Sequence, residues 1–130
     1  MNKRKLIVVC ALIIKDGKCL IAKRSTGDIN MLGKWEFPGG KVEPNEEEKH
    51  AIEREIYEEF NLYIEATKYI TETTSEYTDR IINLKMYECN YISGEFDLHD
   101  HSEIKWVNSN ELLNYDLAPA DIDLAKYLQK

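Results

Sequence analysis

The sequence predicts an α/β domain in which a mixed β-sheet is sandwiched between α-helices. Three observations carry that expectation. Lys5 to Ile14 is almost wholly apolar and rich in Ile and Val, so it reads as a strand buried on both faces. Further segments with strand composition follow it, separated by turn signals. Two segments with helical periodicity, residues 45–60 and Ala118 to Leu128, are available to cover the two faces. The chain of 130 residues suits one domain, 1–130, and its 43% hydrophobic content suffices for a core.

Taken in order, Lys5 to Ile14 ends at Asp16-Gly17, a hairpin signal, and Lys18 to Arg24 continues as a second strand. Residues 25–34 form a polar, glycine-containing loop. Trp35-Glu36-Phe37 is short and aromatic, with Trp35 expected in the core, and Pro38-Gly39-Gly40 is expected to break regular structure. In the helix at 45–60, Ile52, Ile56 and Phe60 recur at every fourth residue and face the core. Asn61 stands where a helix end wants a left-handed residue. Residues 63–74 and 80–91 have strand character, and Ser93-Gly94 reads as a turn. Glu103 to Val107 is a short strand, Ser109 to Leu113 a helical turn, and Ala118 to Leu128 a last helix with Pro119 at its start.

Composition excludes several classes. The longest apolar run, Leu6 to Ile14, is far shorter than the ~20 residues that span a bilayer and lacks a cleavage signal, so no membrane partner is expected and a cytoplasmic protein is. Cys10, Cys19 and Cys89 are odd in number and widely spaced, which argues for reduced thiols rather than disulfides or a cysteine zinc site. His99-x-His101 has no further clustered ligands and reads as a flexible polar loop. The net charge of −7 argues against a nucleic-acid polymer as partner. It also opposes a small polyphosphate unless cations bridge the two.

The glutamate run suggests where such cations sit. Seven glutamates, Glu46, Glu47, Glu48, Glu53, Glu55, Glu58 and Glu59, fall between residues 46 and 59. Glu55, Glu58 and Glu59 stand at i, i+3 and i+4 and share one helical face, where like charges repel. Carboxylate oxygens are the hard ligands that Mg²⁺ prefers, and Mg²⁺ commonly joins few carboxylates to substrate phosphates. Gly39-Gly40, just before the helix, lets backbone approach a ligand closely.

The segment Gly40-x5-Glu46-x7-Arg54-Glu55-Ile56-x-Glu58-Glu59-x-Asn61-Leu62 resembles the Nudix box, Gx5Ex7REUxEExGU with U a bulky aliphatic. One defined position differs, because Asn61 stands where the family has Gly. The box covers residues 40–62, and the resemblance to MutT-type Nudix enzymes extends over nearly the whole chain. It implies the Nudix fold, and it implies that Glu55, Glu58 and Glu59 bind Mg²⁺ (Mn²⁺ as the alternative) with the backbone carbonyl of Gly39. Glu103, beyond the His99 to Ser102 loop, would be an additional metal ligand. Gly40, Glu46 and Arg54 would be structural, the last two as an ion pair. Glu55 is the first choice of general base and Glu103 the second. Arg24 and Lys41 would contact substrate phosphates, and Glu36 would support the metal loop or the nucleotide pocket.

The stretch Leu117-Ala118-Pro119-Ala120-Asp121 resembles the cytidine-triphosphate pyrophosphohydrolase branch of that family. An ionised Asp121 would accept from an exocyclic amino group such as cytosine N4, with Phe37 as a second base contact. The implied activity is Mg²⁺-dependent cleavage of a nucleoside triphosphate to monophosphate and pyrophosphate, with CTP, dCTP or modified pyrimidine nucleotides preferred. An 8-oxo-dGTP diphosphatase is the alternative within the fold, since a protonated Asp121 would suit an oxidised purine. A dinucleoside-polyphosphate hydrolase rests on Tyr77 alone, and a catalytically silent nucleotide-binding regulatory module is the alternative of another class. The protein is expected as a monomer or a homodimer.

Overall fold

In the computed structural model, which describes residues 3–130, the elements follow in the order β1 (Arg4–Lys15), β2 (Lys18–Arg24), β3 (Trp35–Glu36), β4 (Gly39–Lys41), α1 (Glu48–Phe60), β5 (Leu62–Glu76), β6 (Arg80–Gly94), β7 (His101–Val107) and α2 (Pro119–Leu128). Among the described residues no helix is long and apolar enough to cross a membrane. The seven strands form one mixed sheet in the order β3-β2-β1-β6-β5, with β4 added to β1 and β7 to β2. β1 pairs parallel with β6 and antiparallel with β2 and β4. It is buried on both faces, as its composition predicts. Val9, Ala11 and Ile13 pack with Ile52, Ile56 and Phe60 of α1, while Cys10 and Leu12 pack with Leu124 and Ala125 of α2. The side-chain alternation of one strand thus serves two helical layers.

The β1–β2 hairpin turns through Asp16 and Gly17, both at positive φ (53° and 78°), with Lys15 opposite Lys18. Two positive-φ residues give the type I′ turn that matches strand twist. The helix expected from residue 45 begins later, at Glu48. Asn45 is left-handed, φ 65°, and cannot belong to the helix. A small turn replaces its first residues: Glu43 N–H donates to Glu46 Oε1 (3.0 Å), and Glu46 N–H donates to the Glu43 carbonyl (3.1 Å).

Gly39 and Gly40 do not break the chain as expected. They form β4, with Gly39 opposite Cys10 and Gly40 opposite Val9. Ser93-Gly94 is no turn either, since Gly94 still pairs with Leu62 at the end of β6. Nor are residues 99–101 merely a flexible loop, because His101 opens β7 and is buried.

Asn61 ends α1 in the left-handed region (φ 59°, ψ 34°) and its N–H donates to the Tyr57 carbonyl. Its side-chain amide donates to the Glu95 carbonyl (3.0 Å). Glycine tolerates this conformation but loses that bond, whereas a branched apolar residue tolerates neither. Asn61→Gly is expected to stay within about 1 kcal/mol of wild type, and Asn61→Val to lose about 1–2 kcal/mol or more, by urea denaturation.

Candidate active site

A cavity of about 480 Å³ opens where β1, β4, the N-terminal end of α2 and one face of α1 meet. One end is apolar, with Val8, Cys10, Phe37 and Leu84 around Asp121. The other is polar, with Gly39, Gly40 and Lys41 of β4 facing Glu55 and Glu59 of α1. Arg24, Glu36, Met31 and Tyr77 also line it.

The polar end depends on two missing side chains. A Cβ on Gly39 would collide with the backbone of Val9 and Cys10, and one on Gly40 would collide with the Glu55 carboxyl. Both glycines are required by close approach, since neither has positive φ. Bare backbone therefore lies directly against an acidic side chain.

Arg54 sorts the acids of this region. Its Nε donates to Glu46 Oε2 (2.7 Å) and its Nη2 to Glu46 Oε1 (2.9 Å), a two-pronged pair across eight residues. Nη2 also donates to the Lys41 carbonyl (3.1 Å), tying β4 to α1. Nη1 donates to Glu58 Oε1 (2.7 Å) and Glu55 Oε1 (3.1 Å). The Arg54 hydrogen bonds, with that from the Glu43 backbone, hold the Glu46 carboxyl down at about 2.

Glu59 lacks such a partner. Burial pushes its carboxyl up to about 7; the neighbouring His101 opposes this, while Glu55, Asp100 and Glu36 add to it. The Glu55 carboxyl is raised as well, chiefly by burial and against the pull of Arg54. Two half-buried carboxyls, Glu59 with no guanidinium partner and Glu55 with only a share of Arg54, lie beside unshielded backbone and fit a divalent cation. Among the described residues there is no ready cluster of three ligating side chains. A pair of carboxylates suits Mg²⁺, which takes one or two from a protein and completes its shell with water and substrate phosphate.

The expected site residues are not all gathered here. Gly39, Gly40, Lys41, Glu55 and Glu59 line the cavity with Arg24, Phe37 and Asp121. Glu58 is turned to Arg54 and is half exposed. Glu46 and Arg54 buttress the wall from behind. Glu103 is exposed on β7 opposite Lys23 and outside the cavity lining. Asp100 is instead the loop acid whose charge reaches Glu59. Its carbonyl accepts from Ser25 N–H (3.0 Å) and its carboxylate from the Thr26 hydroxyl (3.2 Å). His99 points to Asp97 (3.6 Å) and His101 inward, so the two histidines do not converge.

Glu36 and His101 gain roles that composition alone does not announce. Glu36 Oε2 accepts from Arg24 Nη1 (3.0 Å) and from His101 Nε2 (2.8 Å). The only sequence signal for Glu36 is an acid between two buried aromatics, Trp35 and Phe37. For His101 the deciding feature is a register shift. Lys23 pairs with Glu103 but Arg24 pairs with His101, which leaves Ser102 as an extra residue and turns His101 to the face opposite Glu103.

At the apolar end, Asp121 is 6% exposed and its Oδ2 accepts from Phe37 N–H (2.7 Å). Burial raises its carboxyl to about 8, against the pull of that hydrogen bond. Burial thus favours the neutral carboxyl at neutral pH, one of the two states the sequence leaves open. The unfolded carboxyl loses its proton near its ordinary 3.8, and the folded one only at about 8. Between these values rising pH favours the unfolded chain, so this contribution to stability is complete below the lower value and declines towards the upper one. Asp121→Asn keeps an acceptor for Phe37 N–H and removes the titration. It is expected to out-melt wild type at pH 8, by an advantage that shrinks towards pH 5 at up to about 1.4 kcal/mol per pH unit, in paired thermal denaturations.

Comparison with known proteins agrees with the fold and the box. The NUDIX domain profile matches residues 8–127. The chain is 39% identical over 117 residues to the CTP pyrophosphohydrolase of Escherichia coli K12, covering 90% of this chain and 86% of that one. It is 34% identical over 88 residues to an 8-oxo-dGTP diphosphatase of Proteus vulgaris, covering 67% and 78% respectively. The solution structure of the E. coli ORF135 protein superposes with a TM-score of 0.88 at 35% identity, covering 98% of this chain and 90% of that chain. A profile match over most of the chain and a curated relative at this identity place it in one family: the protein belongs to the Nudix hydrolases.

Proposed function

We propose that the protein is a Mg²⁺-dependent nucleoside triphosphate pyrophosphohydrolase that prefers CTP, dCTP or a modified pyrimidine nucleotide. One observation carries the reading. A single cavity joins an apolar end closed by the Asp121 carboxyl to an acidic end formed by Glu55, Glu59 and the two glycines. A nucleoside triphosphate has the matching polarity, with an apolar base at one end and a phosphate chain needing cations at the other.

In this reading Glu55 and Glu59, with the Gly39 carbonyl, hold the cation, and Glu58 joins them on leaving Arg54. When bound, Mg²⁺ (or Mn²⁺) neutralises phosphate charge and lowers the pKa of an attacking water. Glu55, raised by burial, accepts that proton more readily than an ordinary carboxylate. It is preferred as base to Glu103, which lies outside the cavity lining. Arg24 and Lys41 face the phosphates as cations.

A neutral Asp121 offers one donor and one acceptor. Cytosine N3 and N4–H₂ complement such a pair, and so do O6 and N7–H of 8-oxoguanine. The same carboxyl accommodates both edges, so the 8-oxo-dGTP reading stands beside the cytidine one; the E. coli relative supports the first choice and the P. vulgaris relative the second.

The test is pyrophosphate release with Mg²⁺ from CTP, dCTP, 5-methyl-dCTP, 8-oxo-dGTP and diadenosine polyphosphates. Cytidine nucleotides are expected to have the highest kcat/KM, and Glu59→Gln to lower it by about 10²-fold or more. Turnover of 8-oxo-dGTP alone would move the assignment to the second reading. No metal-dependent release from any nucleotide would leave the silent binding module.

A further inference from the structure

His101 lies outside the motif and, among the described residues, carries a buried side-chain nitrogen with no hydrogen-bond partner. It is 4% exposed, and its ring stacks on Phe60 with centroids 4.9 Å apart and planes at 25°. The extra residue at Ser102 turns it inward, and such irregularities re-aim side chains beside functional sites. Nε2 is bonded to Glu36, a carboxylate that can only accept, so Nε2 carries a proton. Nδ1 has no hydrogen-bond partner although it is buried. Buried polar groups are almost always paired, so an unpaired one points to a state in which it is. The group facing Nδ1 is Glu59 Oε2, 4.0 Å away. Closing that gap by about 1 Å makes a hydrogen bond.

We propose that His101 is a positioning residue that orients the Glu59 carboxylate towards the cation through Nδ1 while Nε2 holds Glu36. This rests on the reading of Glu59 as a cation ligand. Glu36 also accepts from Arg24 (3.0 Å), so a continuous chain runs Arg24, Glu36, His101, Glu59. It connects the side chain facing the phosphates to the one facing the cation. Carboxylate ligands held by such outer partners bind metal about 10- to 100-fold more tightly than unsupported ones.

The experiment measures Mn²⁺ binding to the intact protein without nucleotide, by electron paramagnetic resonance, with thermal melting as a check of folding. The variants are Glu59→Gln, His101→Gln and His101→Asn. The amide nitrogen of Gln reaches the place of Nε2, and that of Asn the place of Nδ1. His101→Gln should weaken Mn²⁺ binding about 10- to 100-fold, and His101→Asn should restore it to within about threefold of wild type. Equal affinity in both variants, whether both like wild type or both weakened alike, overturns the proposal. Wild-type affinity in Glu59→Gln overturns the underlying cation-site reading instead. Should the histidine variants fail to fold, the wild-type protein labelled with ¹⁵N-histidine decides. The Nδ1 resonance of His101 moves on adding Mg²⁺ if the coupling exists, and stays unmoved if it does not.

Discussion

The guanidinium of Arg54 decides how the acids of α1 are divided. Its fork takes both oxygens of Glu46, holds Glu58, and makes no bond to Glu59. By donating to the Lys41 carbonyl it also fixes the distance between β4 and α1. That distance leaves no room for a Cβ on Gly40 beside Glu55. The spacing of β4 from α1 and the division of the acids follow from this one side chain. A planar fork with five donors can serve four such acceptors at once, which an ammonium on a flexible stem does less well.

The division explains how a chain of net charge −7 can serve an anionic substrate. Negative charge at Glu46 is tied up by both prongs of Arg54 and is structural. Glu59 has no bond to Arg54 and Glu55 shares only one of its nitrogens; burial raises the pKa of both carboxyls, which face the cavity. The apolar end follows the same rule in reverse: Asp121 is buried without a cationic partner and so stays neutral, presenting a donor and an acceptor rather than a charge. Charge is concentrated where metal can compensate it and suppressed where a base would have to.

Much of this was legible in the sequence, for identifiable reasons. The two-faced burial of β1 follows from an apolar run too regular for a half-exposed strand, and the exit of α1 at Asn61 from its tolerance of the left-handed region. The box positions Glu55 and Glu59 by helical periodicity. The illegible parts depend on tertiary pairing. Gly39 and Gly40 look like a breaker but supply a strand because β1 offers them an edge. The helix starts at Glu48 because Asn45 adopts positive φ, which no propensity sum reports. Glu103 and His101 are two residues apart and, in an unbroken strand, would share a face; the extra residue at Ser102 separates them. Register irregularities of that kind arise between strands and leave no trace in the spacing of one of them.

In the proposed function, Glu55 and Glu59 admit a nucleoside triphosphate only in company with a divalent cation. Calorimetric titration with an α,β-methylene analogue of CTP, which cannot be cleaved at that bridge, measures it directly. Binding is expected with Mg²⁺ and should fall by about 10²-fold or more when EDTA replaces it, since two carboxylates then face the phosphates unscreened. Equal affinity with and without the cation would contradict the claim, and would mean that Arg24 and Lys41 alone hold the phosphate chain.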